Sequence, residues 1–223
     1  LLEIVSICSS DSLSLWTTSI LAFDTAAIIL LISTSLVKVI GAIFKIPLSN
    51  LIGDLGFGYF SSAYDLFTPI YSLAMAGLPI AVSRLVAENA TTGRYRDVRQ
   101  TLNNAKKAFF VTGFAGLVLM LALIYPFVHI TDPTGETVYS LFAIAPSILL
   151  CCVMSTYRGY YEGLRNMYPT AASDIIEALG KLILGYGFAY IAMKLSNNVA
   201  YAAAAAMLGI TVGALLAALY LRL

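Results

Sequence analysis

Six ionisable side chains stand in stretches of this sequence that are otherwise apolar, and its chemistry must lie with them. Lys38 and Lys45 are seven residues apart, which puts them on one face of a helix. Asp65 follows in the next apolar stretch, and Asp174, Glu177 and Lys181 form an i, i+3, i+7 stripe in a later one. Glu177 and Lys181 have the i, i+4 spacing, acid first, that favours an ion pair. Charges at membrane depth are costly and mark paths for substrates or ions. Ammonium groups so placed attract an anion, while carboxylates tune those bases or couple to an ion gradient. A bland reading stands beside this one: Glu177–Lys181 as a self-neutralised structural pair, and Lys45 snorkelling to the interface. Lys38, in the middle of its stretch, reaches neither interface easily.

Covalent chemistry finds little to work with. There is no Gly-x-x-x-x-Gly-Lys-Ser/Thr phosphate loop, and Gly53, Gly56 and Gly58 read as a tight turn rather than a dinucleotide fingerprint. His129 is the only histidine, too few for a His-Glu-x-x-His zinc site, and it reads as an interfacial residue. Cys8, Cys151 and Cys152 have no disulfide or zinc spacing, and the last two read as small residues of a core or a lipid face. No nucleophile–base constellation is visible, so the expectation is no catalytic residue, no metal, no cofactor and no nucleic-acid partner.

The elements that hold these side chains follow from composition. Hydrophobic residues make up 60% of the 223 and charged residues 11%, with a mean hydropathy of +0.86. A water-facing domain carries about 25% charged residues. So few charges cannot cover the outside of a soluble fold, which excludes that class and predicts a polytopic α-helical membrane protein. A span needs about 20 apolar residues. Six segments qualify, at about 25–48, 58–83, 107–130, 138–158, 168–193 and 199–222. Turn residues separate them: Ser49-Asn50 and Gly53-Asp54-Leu55-Gly56, then Asp132-Pro133-Thr134-Gly135, then Asn197-Asn198.

Lys and Arg alternate across these loops. Arg84, Arg94, Arg96, Arg99, Lys106 and Lys107 lie between the second and third spans, and Arg158 and Arg165 between the fourth and fifth. The opposite loops hold Asp54, Asp132 and Glu136, with Lys194 their only base. The positive-inside rule puts 84–107 and 158–167 in the cytoplasm. Pro69, Gly77, Pro79 and Pro146 break spans two and four, as tolerated where neighbours or a wet cavity satisfy the freed backbone. Gly159-x-x-x-Gly163 and Gly209-x-x-x-Gly213 have the spacing of close helix packing. Residues 1–24 are Ser- and Thr-rich without Lys or Arg, and read as a loose stretch ahead of a transmembrane unit at 25–223. A start at Leu1 and an end at Leu223 inside an apolar run are those expected of a piece of a longer chain.

Several ordered motifs resemble a known family. Lys38-Val-Ile-Gly-Ala-Ile-Phe-Lys45-Ile-Pro-Leu, Asn50-Leu-Ile-Gly and Gly58-Tyr-Phe-Ser-Ser-Ala-Tyr-Asp65-Leu-Phe look like the opening of the stage V sporulation protein B family. Ala76-Gly77-Leu-Pro79-Ile-Ala-Val-Ser-Arg84 and Arg158-Gly159-Tyr-Tyr-Glu-Gly163-Leu-Arg-Asn166-Met-Tyr-Pro169-Thr extend the likeness, which runs from about Ala26 to the end. That family stands with the MurJ-like lipid II flippases and polysaccharide exporters of the multidrug/oligosaccharidyl-lipid/polysaccharide exporter superfamily. The resemblance implies two pseudo-symmetric six-helix lobes, of which this chain is the amino-terminal one, around a cationic cavity that holds a lipid pyrophosphate. Lys38 matches the first basic position of the flippase helix-one motif; the second falls on Phe44, one residue before Lys45.

The expected fold is therefore an all-α, six-span lobe of a two-lobe transporter in the cytoplasmic membrane, rocking around a midplane site. The expected function is flipping an undecaprenyl-pyrophosphate-linked saccharide, lipid II or a related precursor, with Lys38, Lys45 and Lys181 binding the diphosphate. Asp65, Asp174 and Glu177 are the charge-coupling or pairing residues, and the partners are the lipid-linked saccharide, membrane lipid, the other lobe and an unnamed coupling ion. A drug/cation antiporter of the same superfamily is one alternative, with Asp65 or Glu177 binding the cation. A non-transporting scaffold in envelope assembly is another. At about 1.5 Å per residue, Lys45 lies about 10 Å along the helix from Lys38, with Asp65 at Lys45's level and Lys181 at Lys38's.

Overall fold

A computed structural model describes the backbone over residues 2–222 except 76 and 133, and the side chains over residues 28–222 except 76, 78, 95 and 133. The expectation of a loose stretch at 1–24 falls on residues whose side chains lie outside that range. The described residues fold into helices α1 (Leu2–Met75), α2 (Leu78–Thr91), α3 (Tyr95–Thr131), α4 (Thr137–Gly163), α5 (Tyr168–Gly180), α6 (Tyr186–Ser196) and α7 (Val199–Arg222). A π-helical turn, Lys181–Gly185, joins α5 to α6 without leaving helical geometry. Among the described residues, five helical stretches are long and apolar enough to cross a membrane: Ile28–Thr91, Arg96–Thr131, Thr137–Gly163, Tyr168–Ser196 and Val199–Arg222.

The first of these stretches is folded on itself. Gly53 breaks α1 with φ 66 and ψ −179, a left-handed conformation that glycine adopts without the clash a Cβ would cause. Beyond it the chain turns back, because the rings of Phe44 and Phe60 lie 6.0 Å apart. Along an unbroken helix they would be about 24 Å apart. The turn signal read between 49 and 56 thus becomes one glycine hinge. Gly77 (φ 74) then separates α1 from α2, where Pro79 occupies the first turn, a position at which its missing N–H costs nothing. The reading of 84–107 as a loop needs correcting. Helix continues through Thr91 and resumes at Tyr95, since a charged segment leaving the bilayer keeps its helix where water solvates the side chains.

α4 and α7 form the middle of the bundle, α4 packing against α3, α2 and α7, and α7 against the α5–α6 rod as well. Their buried faces are rich in small residues, among them Ala143, Ala145, Ala203, Ala206 and Ala214. Such residues let backbones approach closely enough for dispersion to hold helices where lipid removes the hydrophobic drive. A Cβ on Gly209 would collide with the backbone of Gly185, and one on Gly213 would stand 3.0 Å from the Lys181 nitrogen. On α4, a Cβ on Gly159 or Gly163 would lie 2.8 Å from the Pro79 carbonyl or 2.7 Å from that of Ser83. Both glycine motifs therefore seat helices, as their spacing predicts. The large apolar side chains Leu31, Ile43, Val111, Ile130 and Leu195 instead face outward, the inversion that a lipid surround permits.

The α3–α4 turn is tied by one residue. Asp132, buried, accepts hydrogen bonds from the N–H and hydroxyl of Thr134 (3.0 and 2.6 Å) and of Thr137 (2.9 and 2.7 Å). Asn198 starts α7 in a similar way, its side-chain oxygen accepting the Ala200 N–H at 2.9 Å.

Candidate functional site

The two limbs of α1 and the α5–α6 rod enclose a groove in two chambers. One, of about 300 Å³, is lined by Thr34, Val37, Lys38, Tyr71, Arg158, Asp174, Glu177, Ala178 and Lys181. The other, of about 460 Å³, is lined by Val37, Gly41, Phe44, Lys45, Phe57, Phe60, Ser61, Tyr64, Asp65, Thr68 and Lys181. Val37 and Lys181 belong to both. All six residues singled out from the sequence thus line one or other of two adjoining chambers.

Local structure explains the gathering. Asp174, Glu177 and Lys181 form one stripe on α5 because their spacing follows the helical repeat, and the Ser33 hydroxyl ties α1 to that helix through the Ala171 carbonyl at 3.1 Å. Lys181 opens the π-helical turn, directly against Gly213 of α7. An extra residue in a turn is a feature that recurs at functional sites. Lys38 and Lys45 sit on the exposed side of the first limb of α1.

The expected levels need one correction. Phe44 opposes Phe60. Counting five residues from each toward the chain ends sets Asp65 opposite Val39, about 9 Å from the level of Lys45 and close to that of Lys38. The hinge sits at Gly53, and the facing of Phe44 and Phe60 sets the register of the hairpin. Asp65 and Lys45 are accordingly not an ion pair.

One base went unrecognised in the sequence. Arg158, at the end of an apolar run, reads there as a cytoplasmic loop charge. In the structure it lies within α4, and its side chain bends back into the bundle with 19% of its surface exposed. Its guanidinium contacts Asp174 at 2.8 Å and Glu177 at 3.2 Å, and its Nε donates to the Ser173 hydroxyl at 3.0 Å. Lys181 approaches Glu177 at 3.8 Å. These three ion pairs are all that form among the described residues, so Lys38, Lys45 and Asp65 stand free. The detectable signal was symmetry: Arg158 and Asp174 are each eight residues from Asn166, in the short turn joining α4 to α5.

The groove holds four bases, Lys38, Lys45, Arg158 and Lys181, against three acids, Asp65, Asp174 and Glu177. Two of those acids are already engaged by Arg158. The partial burial of Arg158 and Lys181 weakens screening and strengthens the remaining attraction for an anion. The chemistry on offer is non-covalent capture of a compact, multiply charged anion.

The profile of a family described as polysaccharide biosynthesis protein matches residues 25–223. Among curated proteins of Bacillus subtilis (strain 168), the chain is 31% identical over 204 residues to stage V sporulation protein B, covering 89% of this chain and 38% of that protein. It is 27% identical over 194 residues to lipid II flippase MurJ, covering 81% of this chain and 36% of that one. An uncharacterized membrane protein, YabM, is 24% identical over 197 residues, covering 87% and 36%. The chain therefore spans little more than a third of each relative's length. No solved structure matches.

Proposed function

From the premise that this multi-pass membrane chain belongs to the polysaccharide biosynthesis protein family, we propose that it is the amino-terminal lobe of a two-lobe flippase. The substrate is an undecaprenyl-pyrophosphate-linked saccharide, lipid II or a related envelope precursor, moved from the inner to the outer leaflet of the cytoplasmic membrane. Residues 25–223 are the lobe. It crosses the membrane six times, the fold-back at Gly53 dividing the first long stretch into two spans, with 84–107 and 158–167 on the cytoplasmic side.

A single observation carries the reading: Lys38, Arg158 and Lys181 converge on one groove of about 300 Å³ that holds only two carboxylates, both already paired. A diphosphate arriving there meets Lys38 unengaged and Lys181 at the long end of its contact with Glu177. Arg158 keeps Asp174 and Glu177 occupied, so that they do not repel the incoming anion. Lys45, at the far end of the groove, extends the positive field, and Asp65 offsets it. Exchange of partners among Asp174, Glu177 and the bases gives the lobe two charge arrangements, with and without ligand. Rocking between two such arrangements moves the substrate, and no bond is made or broken. Lipid II is what the name of one relative states for that relative; here the class extends to any saccharide on the same diphosphate lipid.

The experiment follows the leaflet in which the lipid-linked saccharide resides, in cells depleted of the full-length protein. Accumulation on the cytoplasmic side is expected. An unchanged distribution contradicts the proposal.

A further inference from the structure

The larger chamber differs in chemistry from the charged one. Phe57, Phe60 and Tyr64 line it, and they open an aromatic stripe on the second limb of α1 that continues through Phe67 to Tyr71 in the charged chamber, spaced i, i+3, i+7, i+10, i+14. Successive ring centroids are 6.0, 5.3, 6.1 and 5.5 Å apart. Phe60 is buried and anchors the stripe to Phe44, whereas Phe57, Tyr64 and Tyr71 are half-buried and line the groove. Ser61, Asp65 and Thr68 run beside the rings along the same wall. The Thr68 hydroxyl donates to the Tyr64 carbonyl at 2.8 Å, which leaves its lone pairs open, and Asp65 forms no ion pair among the described residues.

We infer that this aromatic chamber is the seat of the substrate's first sugar, so that the two chambers divide the headgroup: diphosphate over Lys38, Arg158 and Lys181, pyranose over Tyr64 and Phe57. The inference rests on the flippase reading and deepens it. A pyranose presents an apolar C–H face and a rim of hydroxyls. The C–H face stacks on an aromatic ring, whose face is electron-rich. The rim needs acceptors at the edge of that ring, and Asp65, Ser61 and Thr68 stand there. A polyprenyl tail would leave Asp65, Lys45 and the hydroxyls of Ser61 and Thr68 without partners. The volume of about 460 Å³ falls within the usual range of small-ligand pockets. Lys181 lines both chambers, so a sugar bonded directly to the diphosphate reaches the rings without a spacer.

The test measures binding of two probes to the purified full-length protein in nanodiscs: undecaprenyl diphosphate, and the same lipid carrying one N-acetylhexosamine. Wild type should bind the sugar-bearing lipid more tightly. Tyr64→Leu and Phe57→Leu should each shrink that preference roughly fivefold while leaving the bare diphosphate lipid unaffected. Tyr64→Phe, which keeps the ring, should retain most of the preference, and Lys38→Ala should weaken both probes equally. If wild type holds the bare lipid but the preference is absent, or survives both leucine variants, the sugar seat is wrong and the flippase reading stands. If either leucine variant weakens both probes alike, the stripe acts in packing and the seat is again overturned. If wild type holds neither probe, the flippase reading falls and the seat with it.

Discussion

Replacing Arg158 with Gln should destabilise the lobe through the two acids it leaves behind. The guanidinium engages Asp174 at 2.8 Å and Glu177 at 3.2 Å, and the three side chains expose only about a fifth of their surface, 19%, 19% and 21%. Exposed pairs contribute about 0–1 kcal/mol, whereas truncating one member of a fully buried pair costs about 3–5 kcal/mol. With a fifth of the surface exposed and two carboxylates orphaned, about 2–3 kcal/mol is expected. Lys181, at 3.8 Å from Glu177, recovers part of the loss for that acid alone. For a unit of about this length the cost corresponds to a fall in Tm of roughly 4–12 °C. Thermal unfolding of the purified protein in detergent reads it directly. Adding Asp174→Asn and Glu177→Gln to Arg158→Gln should restore most of the lost stability, because the penalty lies in uncompensated charge rather than lost packing. A shift in Tm below about 1 °C for Arg158→Gln, or no recovery in the triple variant, would show that Arg158 does not neutralise these two acids.

Two further outcomes are expected. A cysteine at Arg96 should resist an impermeant thiol reagent in intact cells while Lys194→Cys is labelled; the reverse pattern would invert the orientation. Asp132 lies outside the spans. Burial pushes its carboxyl up, but the hydrogen bonds from Thr134 and Thr137 prevail and hold it at about 2, against an ordinary 3.8. A depressed pKa contributes stability that is complete above about 3.8 and is lost as pH falls through about 2. The stability advantage of wild type over Asp132→Asn, followed by thermal unfolding across pH 2–5, should therefore shrink toward the acid end; a constant difference would exclude this role.

The apolar runs were legible because length and hydropathy alone define a span, and the turns because glycine, asparagine and aspartate mark them. The stripe Asp174, Glu177, Lys181 was legible for the same reason: spacing on one helix fixes a face. What was hardest to reach was the relation between helices. Arg158 sits where a positive-inside charge belongs, and only the α4–α5 hairpin turns it toward Asp174. The level of Asp65 depended on a hinge at Gly53, which a cluster of three turn glycines does not single out. The aromatic stripe follows a spacing common to ordinary core faces, and only the groove beside it distinguishes it from one. The π-helical turn at Lys181 has no sequence signature; it lies where the helix packs against Gly209 and Gly213 of α7.

Lys38, exposed and unpaired among the described residues on the wall of the charged chamber, is proposed to capture the diphosphate. The most direct test is the leaflet distribution of the lipid-linked saccharide in depleted cells supplied with the full-length protein carrying Lys38→Ala. Lys38 is exposed and forms no ion pair among the described residues, so protein level should match wild type. With Lys38 gone, the saccharide should accumulate in the inner leaflet at that normal protein level. Outward transfer at the wild-type rate would contradict it.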